Sequence, residues 1–248
     1  MIGKQTYDQL AKKYEVSIKT IQRKIDKVKI DNPTIEPREV IILMDTTYWS
    51  RNFGVMLFRD SIKKENLLKY YVKYETIITY IDGIRTLQER GFKIKAIVCD
   101  GRPGLLRAFH EEVPMQMCKF HQKQIIKRYL TSKPKLEASK ELWNIVDKLN
   151  SRSKESFQKE LGIWYNKWEE FYNERTKNPT TNKSFYTHKR LRSAYKSIMK
   201  NLPYLFTYRE QIGLNIPNTT NGIDGVFADL KNKLRNHNGL TKTRKMKL

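Results

Sequence analysis

Asp45 directly follows the apolar run VIILM and Asp100 directly follows AIVC, so each carboxylate is expected where a buried strand ends. An ionised acid there costs free energy unless something cationic binds it. Two such acids suit a hard divalent cation, which takes oxygen ligands from one or two carboxylates and completes its shell with substrate phosphates. Either acid alone also fits a residue that closes a turn, because Asp is common where strands end. Asp224 is the third candidate. It shares a helical stripe with Ala228, Lys231 and Arg235, beside an apolar face of Ile223, Phe227, Leu230 and Leu234, so this carboxylate would lie next to a basic track. Gly222 and Gly225 flank it. Glycines are unfavourable in a helix start unless a backbone, a metal or a nucleic acid approaches closely, and a late helix start accounts for them equally well.

Cys118 and His121 form a C-x-x-H at an expected strand-to-helix junction. A structural zinc site needs four ligands, and two cysteines and four histidines in the whole chain supply no second half. His121, near a helix start, can contact a phosphate or a metal-bound water, or serve as a satisfied junction residue. Cys118 reads as a small buried side chain, and it and Cys99 are expected as reduced thiols. Catalytic serine triads, phosphate-binding loops and dinucleotide fingerprints are absent from the sequence.

The elements that must position these residues follow from periodicity. VIILMDTTYW (40–49), FGVMLFRD (53–60) and LLKYYVKY (67–74) read as antiparallel strands. Ile77, Ile78, Ile81, Ile84 and Leu87 have helical spacing up to Gly91, which suits a C-cap; KIKAIVCD (93–100) is a fourth strand. GRPGLLRAFH reads as a loop into a short helix, PMQMCKF as a fifth strand and HQKQIIKRYL as a further helix, giving a mixed α/β sheet for residues 39–130. Residues 131–216, with Trp143, Trp164 and Trp168, are expected to form an all-helical insertion with its own small core. Residues 217–240 hold the final helix of the sheet domain, and 241–248 a frayed basic tail.

At the other end, residues 1–30 read as two short amphipathic helices with a break at Glu15–Val16 and Ser17 as the N-cap of the second. A helix-turn-helix of this kind would present Lys19, Thr20, Gln22, Arg23 and Lys24 to the major groove. The same pattern also fits a plain helical hairpin packed on the body. Residues 31–38, with Pro33 and Pro37, form a linker.

Composition narrows the partner. Among 248 residues, 49 Lys and Arg face 26 Asp and Glu, a net charge of +23, and a field of that sign favours a polyanion, nucleic acid first. A hydrophobic share of 39% with 11% aromatics is enough to bury a core. No apolar run approaches a spanning helix and no signal peptide opens the chain, so no membrane partner is expected and the location reads as cytoplasmic, associated with the nucleoid.

Taken in order, ILMDTTYW, IVCDGRPGLLRAF, MCKFH and TTNGIDGVFADLKNKLRNHNGL resemble the Mutator-like DDE transposases of bacterial insertion sequences, over about residues 38–240. The resemblance implies a ribonuclease H-like mixed five-stranded sheet flanked by helices, with a helical insertion and an N-terminal helix-turn-helix. It implies an Asp45, Asp100 and Asp224 set that holds two Mg²⁺ (or Mn²⁺) ions for phosphoryl transfer, with Cys118 and His121 as the C-x-x-H that follows the fifth strand. His121 would orient a phosphate, and Lys231 and Arg235 would neutralise backbone beside Asp224. The implied partners are double-stranded DNA, both transposon terminal inverted repeats and target, and a second copy of the chain in a homodimer or larger complex. Two departures stand out. The family's last acid is usually Glu in an Asn-x-x-Glu-Gly pattern, where this chain has Asn221-Gly222-Ile223-Asp224-Gly225, and the zinc ribbon that often precedes the helix-turn-helix is not among these residues. Two other functions share part of the pattern. A helix-turn-helix transcriptional regulator would bind DNA without cutting it, and a ribonuclease H-like nuclease would cut without joining.

Overall fold

Helix signals open the chain. In this computed structural model, which describes residues 5–29, 34–236 and 239–247, Thr6 and Gln9 close a capping box on α1 (Tyr7–Lys13). Ser17 caps α2 (Ile18–Lys27) through the Thr20 amide, and Glu15 turns the chain between the helices at φ 50°. Ala11 and Ile21 are buried between them. Pro33 of the linker lies outside the described residues.

Beyond Pro37 the period changes from helical to two. β1 (Glu39–Ser50), β2 (Phe53–Asp60) and β3 (Asn66–Val72) form an antiparallel meander; α3 (Ile77–Glu89) then crosses to β4 (Lys93–Cys99), and α4 (Leu105–Ala108) leads to β5 (Met115–Met117). Gly91, at φ 90°, makes the exit from α3. β4 lies parallel to β1 and β5 parallel to β4, so the strand order is β3-β2-β1-β4-β5. A five-stranded mixed sheet with its first strand central, antiparallel to the second and parallel to the fourth, is a ribonuclease H-like fold. The fifth strand is shorter than PMQMCKF, because Cys118 already caps α5 (Lys119–Leu130).

Alternation along the central strands separates two apolar layers. Val40, Ile42 and Met44, with Ile97 and Cys99, pack beneath α3 and α5. Ile41 and Leu43, with Ala96 and Val98, pack on the other face against Ile223 and Phe227 of the final helix. After α5 come α6 (Glu137–Asp147), α7 (Lys154–Asn173), the hairpin β6 (Arg175–Lys177) with β7 (Ser184–Tyr186), α8 (Lys189–Leu205), α9 (Thr207–Glu210) and α10 (Asn221–Asn236).

Three sequence expectations change here. The 131–216 insertion is not all-helical: β6 and β7 pair across a turn that contains Pro179, which cannot extend α7, and Asn182 at φ 53°. Nor does it own a separate core, since Leu142, Val146, Phe157 and Trp164 join the same apolar cluster as Met44 and Phe58. The tail is not frayed either. Thr241 caps α11 (Lys242–Lys245), Arg244 pairs with Asp26 at 2.7 Å, and the Tyr71 hydroxyl donates to the Met246 carbonyl at 2.7 Å. Among the described residues no helix is long and apolar enough to cross a membrane.

Candidate active site

The two-residue period that sorts the core also places the acids. Ile41 and Leu43 point toward α10, and Asp45 is the next position of that series; on β4, Ala96 and Val98 point the same way, and Asp100 follows. Asp45 and Asp100 therefore share the face covered by α10, whose first turn carries Asp224. Asp100 lies just past β4, as expected. Asp45 does not end a strand: β1 runs on to Ser50, because Thr46, Thr47 and Tyr48 keep their pairing with β2. What stops near Asp45 is the parallel pairing with β4, whose last register pair is Leu43 with Val98.

Electrostatics register the juxtaposition. Burial pushes the Asp45 carboxyl up to about 6, and the Asp100 and Asp224 charges push the same way, against the opposing pull of His121 and the Thr46 amide. The Thr46 N–H donates to Asp45 Oδ1 at 2.8 Å, and the Arg102 N–H donates to Asp100 Oδ1 at 3.1 Å. Asp224 is exposed. Among the described residues no three His, Cys, Asp or Glu side chains converge tightly enough to hold one ion by themselves. The donor chemistry of Asp45 and Asp100 nonetheless fits a hard cation: the Asp100 and Asp224 charges add to the cost of ionising the half-buried Asp45, and carboxylate oxygens are the ligands such a cation takes.

Gly222 sits close on β1. A Cβ there would sit 2.9 Å from Leu43 Cδ1, so glycine lets α10 lie close on β1, whereas the same test at Gly225 meets nothing within 4 Å.

The C-x-x-H joins two elements of the site. Cys118 is fully buried, and its sulfur accepts from the Thr220 amide at 3.4 Å and the Thr220 hydroxyl at 3.5 Å, one residue before α10 begins. The Lys119 amide donates to the Asn218 carbonyl at 3.0 Å in the same seam. Burial disfavours a His121 cation, yet Cys118, Asp45 and Asp100 outweigh it and lift the imidazole to about 9. Its Nδ1 is buried, with no hydrogen-bond partner among the described residues. The Cys118 thiol is in turn held below its ordinary range, His121 and Thr220 overcoming burial.

Four residues that sequence reasoning did not select tie the acids together from beneath the sheet. Tyr80 of α3 donates to Glu75 Oε1 at 2.8 Å and meets the Thr46 hydroxyl at 2.8 Å. Arg102 pairs with the Glu75 carboxylate and donates to the Glu75 carbonyl at 3.2 Å. A continuous polar chain thus runs from the neighbour of Asp45 to the loop that holds Asp100. Lys119 was missed as well. Its ammonium, fully buried, donates to the Leu149 carbonyl and the Tyr208 hydroxyl at 3.1 Å each, fastening the start of α5 to the insertion. Isolated Thr, Tyr, Glu and Lys letters carry no periodic signal, so only the fold reveals them.

Of the expected DNA contacts, Lys19, Arg23 and Lys24 are exposed, and so are Lys231 and Arg235 along the Asp224 stripe. Gln22 is half-buried. Thr20 is committed locally, its amide and hydroxyl both engaged by Ser17.

No protein-family model matches the chain, and no curated protein matches it. Among solved structures it is similar to the Drosophila P element transposase strand transfer complex, at 13% identity and a TM-score of 0.42, covering 99% of this chain and 87% of that one. The fold assignment stands on the strand order itself.

Proposed function

We propose that this chain is a DNA transposase that cuts transposon ends and transfers the freed strands into target DNA. The observation that carries the reading is the common face of Asp45, Asp100 and Asp224 on adjacent elements of a ribonuclease H-like sheet. In this reading the three acids hold two Mg²⁺ (or Mn²⁺) ions. Bound there, the ions supply activation of an attacking water or DNA 3′-hydroxyl and charge neutralisation at the leaving oxygen. The protein's own part is placement. His121, cationic near neutral pH beside Asp45 and Asp100, is the group that would orient a phosphate by its charge. Lys231 and Arg235 lie along the backbone beside Asp224, and α2 reads the terminal inverted repeats through Lys19, Gln22, Arg23 and Lys24. Two ends must be held together, so a homodimer or larger complex is the working form.

Asp224 is one methylene shorter than Glu. The close seat of Gly222 on Leu43 brings α10 near β1, which favours a shorter acid at this position.

The test is incubation of the full chain with duplex DNA carrying the element's own ends, in Mg²⁺ and in Mn²⁺, with nicking and joining scored separately. Wild type should nick and join, and Asp45→Ala should do neither. Retained cutting or joining by Asp45→Ala overturns the assignment of the acids. Nicking without joining identifies a nuclease, and metal-independent binding of the ends with no cleavage identifies a regulator.

A further inference from the structure

We propose that a cleft between the C-terminal end of α5 and the N-terminal end of α8 is a second DNA-contact surface, seating a phosphodiester backbone outside the acid site. This rests on the reading that the chain acts on DNA. Two adjoining clefts, each about 430 Å³, share Tyr129, Lys189 and Arg190 as walls. Arg128 completes one and Lys133 and Lys135 the other, and no Asp or Glu lines either. All five cations are exposed, and among the described residues none forms an ion pair.

Folding accounts for only part of this. Arg190 donates to the Arg128 carbonyl at 3.4 Å, a contact with the negative end of α5, and the Lys189 ammonium rests 4.3 Å above the Phe185 ring. Neither contact supplies a counter-charge. Surfaces ordinarily intersperse both signs, and five like charges around one concavity repel one another until an anion arrives.

A polyanion with regularly spaced charges fits better than an acidic peptide, because the cleft lies on the same helix as His121, which faces Asp45 and Asp100. His121 and Arg128 are about two turns apart on α5, or ~10 Å along its axis. That is roughly three nucleotides of a strand at about 3.4 Å each, so DNA whose scissile phosphate lies at His121 extends into reach of the cleft.

The experiment measures duplex binding by fluorescence anisotropy across a salt series, using a 40-base-pair duplex of arbitrary sequence. Three full-length proteins are compared, each carrying Asp45→Asn so that the readout does not depend on cleavage. One is otherwise unchanged, one carries Lys189→Gln with Arg190→Gln, and one carries Lys63→Gln with Lys64→Gln on the exposed β2–β3 turn. Each lost phosphate contact lowers the slope of log affinity against log salt by about 0.9, so the cleft variant should lose about 2 units of slope while the turn variant keeps the parent value. A cleft variant with the parent's slope and affinity overturns the proposal, as does an equal loss in the turn variant. A parent that fails to bind duplex at all overturns the DNA reading together with the cleft. Absence of strand transfer in the separate cleavage assay leaves this result intact.

Discussion

Asp45 is the residue at which the cost of the site is most concentrated. Its folded pKa stands at about 6 against an ordinary 3.8, so the folded chain holds this proton more tightly than the unfolded one. Stability contributed at this position is therefore greatest below the ordinary value, falls as pH rises between the two, and is fully lost above about 6. Asp45→Asn should raise the stability of the metal-free protein at pH 7.5 by on the order of 2–3 kcal/mol, and the gain should vanish at pH ~3, below the ordinary value. Added Mg²⁺ should reverse the ranking, because a cation that binds the ionised site stabilises wild type by mass action and finds less to bind in the variant. Paired thermal melts at both pH values, with and without Mg²⁺, check this. A gain that persists at pH ~3, or none at pH 7.5, contradicts a penalty based on charge. The same carboxylate explains why the acids were legible from sequence: an acid directly after an apolar run conflicts with burial wherever the run leads. His121 was legible as a motif letter only. Its cationic state arises from Cys118, Asp45 and Asp100, which meet it only in the folded chain.

Elements carry the next level of specification, and α3 is the sharpest case. Gly83 faces β2, where an added methyl group would run into the ring of the fully buried Phe58. In an exposed helix Gly→Ala gains about 1 kcal/mol; here overpacking costs about 1–3 kcal/mol, and the clash decides the sign. Gly83→Ala should lower the urea midpoint with an unchanged m-value, and an increase in stability would show that the helix and strand shift apart freely. Helical spacing found α3 and most of its inner face, since Ile77, Ile81, Ile84 and Leu87 all pack on the core, but it placed one residue wrongly. Ile78 is 78% exposed, and Tyr80 is buried in its place. The reason is polar: the Tyr80 hydroxyl is needed between Glu75 and Thr46, a requirement that apolar periodicity cannot express. The strands were legible because β-rich runs alternate between two buried faces, and Asp45 and Asp100 came with them. The β6–β7 hairpin was hidden because its strands have three residues each, too few for a period, and most of its surface is exposed.

At the scale of the whole molecule, the +23 charge divides into parts with different work. Some of it is structural. Arg244 binds both carboxylate oxygens of Asp26, at 2.8 and 2.7 Å, and the Lys247 ammonium bonds the carbonyls of Ile25, Asp26 and Val28 at the end of α2. On its other side the same segment meets the sheet, through the Tyr71 hydroxyl on Met246 and the Lys242 ammonium 4.9 Å above the Phe53 ring. The C-terminal segment thus straps the N-terminal helices to the α10 face of the sheet. Local sequence could not reveal this, because Asp26 and Arg244 lie at opposite ends of the chain. The strap rather than the short α1–α2 contact should fix where Lys19, Arg23 and Lys24 stand relative to the acids. Arg244→Ala should speed hydrogen exchange at the α2 amides while leaving the β1 and β4 amides as slow as in wild type, since the core contacts of the sheet do not involve the strap. High salt should produce a selective acceleration of the same kind in wild type and little further change in the variant, because an ion pair whose Asp26 side is open to solvent is screened where a buried core is not. Exchange at α2 that stays at the wild-type rate in Arg244→Ala, at both salt concentrations, would mean that the helices are held by their own packing and that Arg244 is free to meet phosphate.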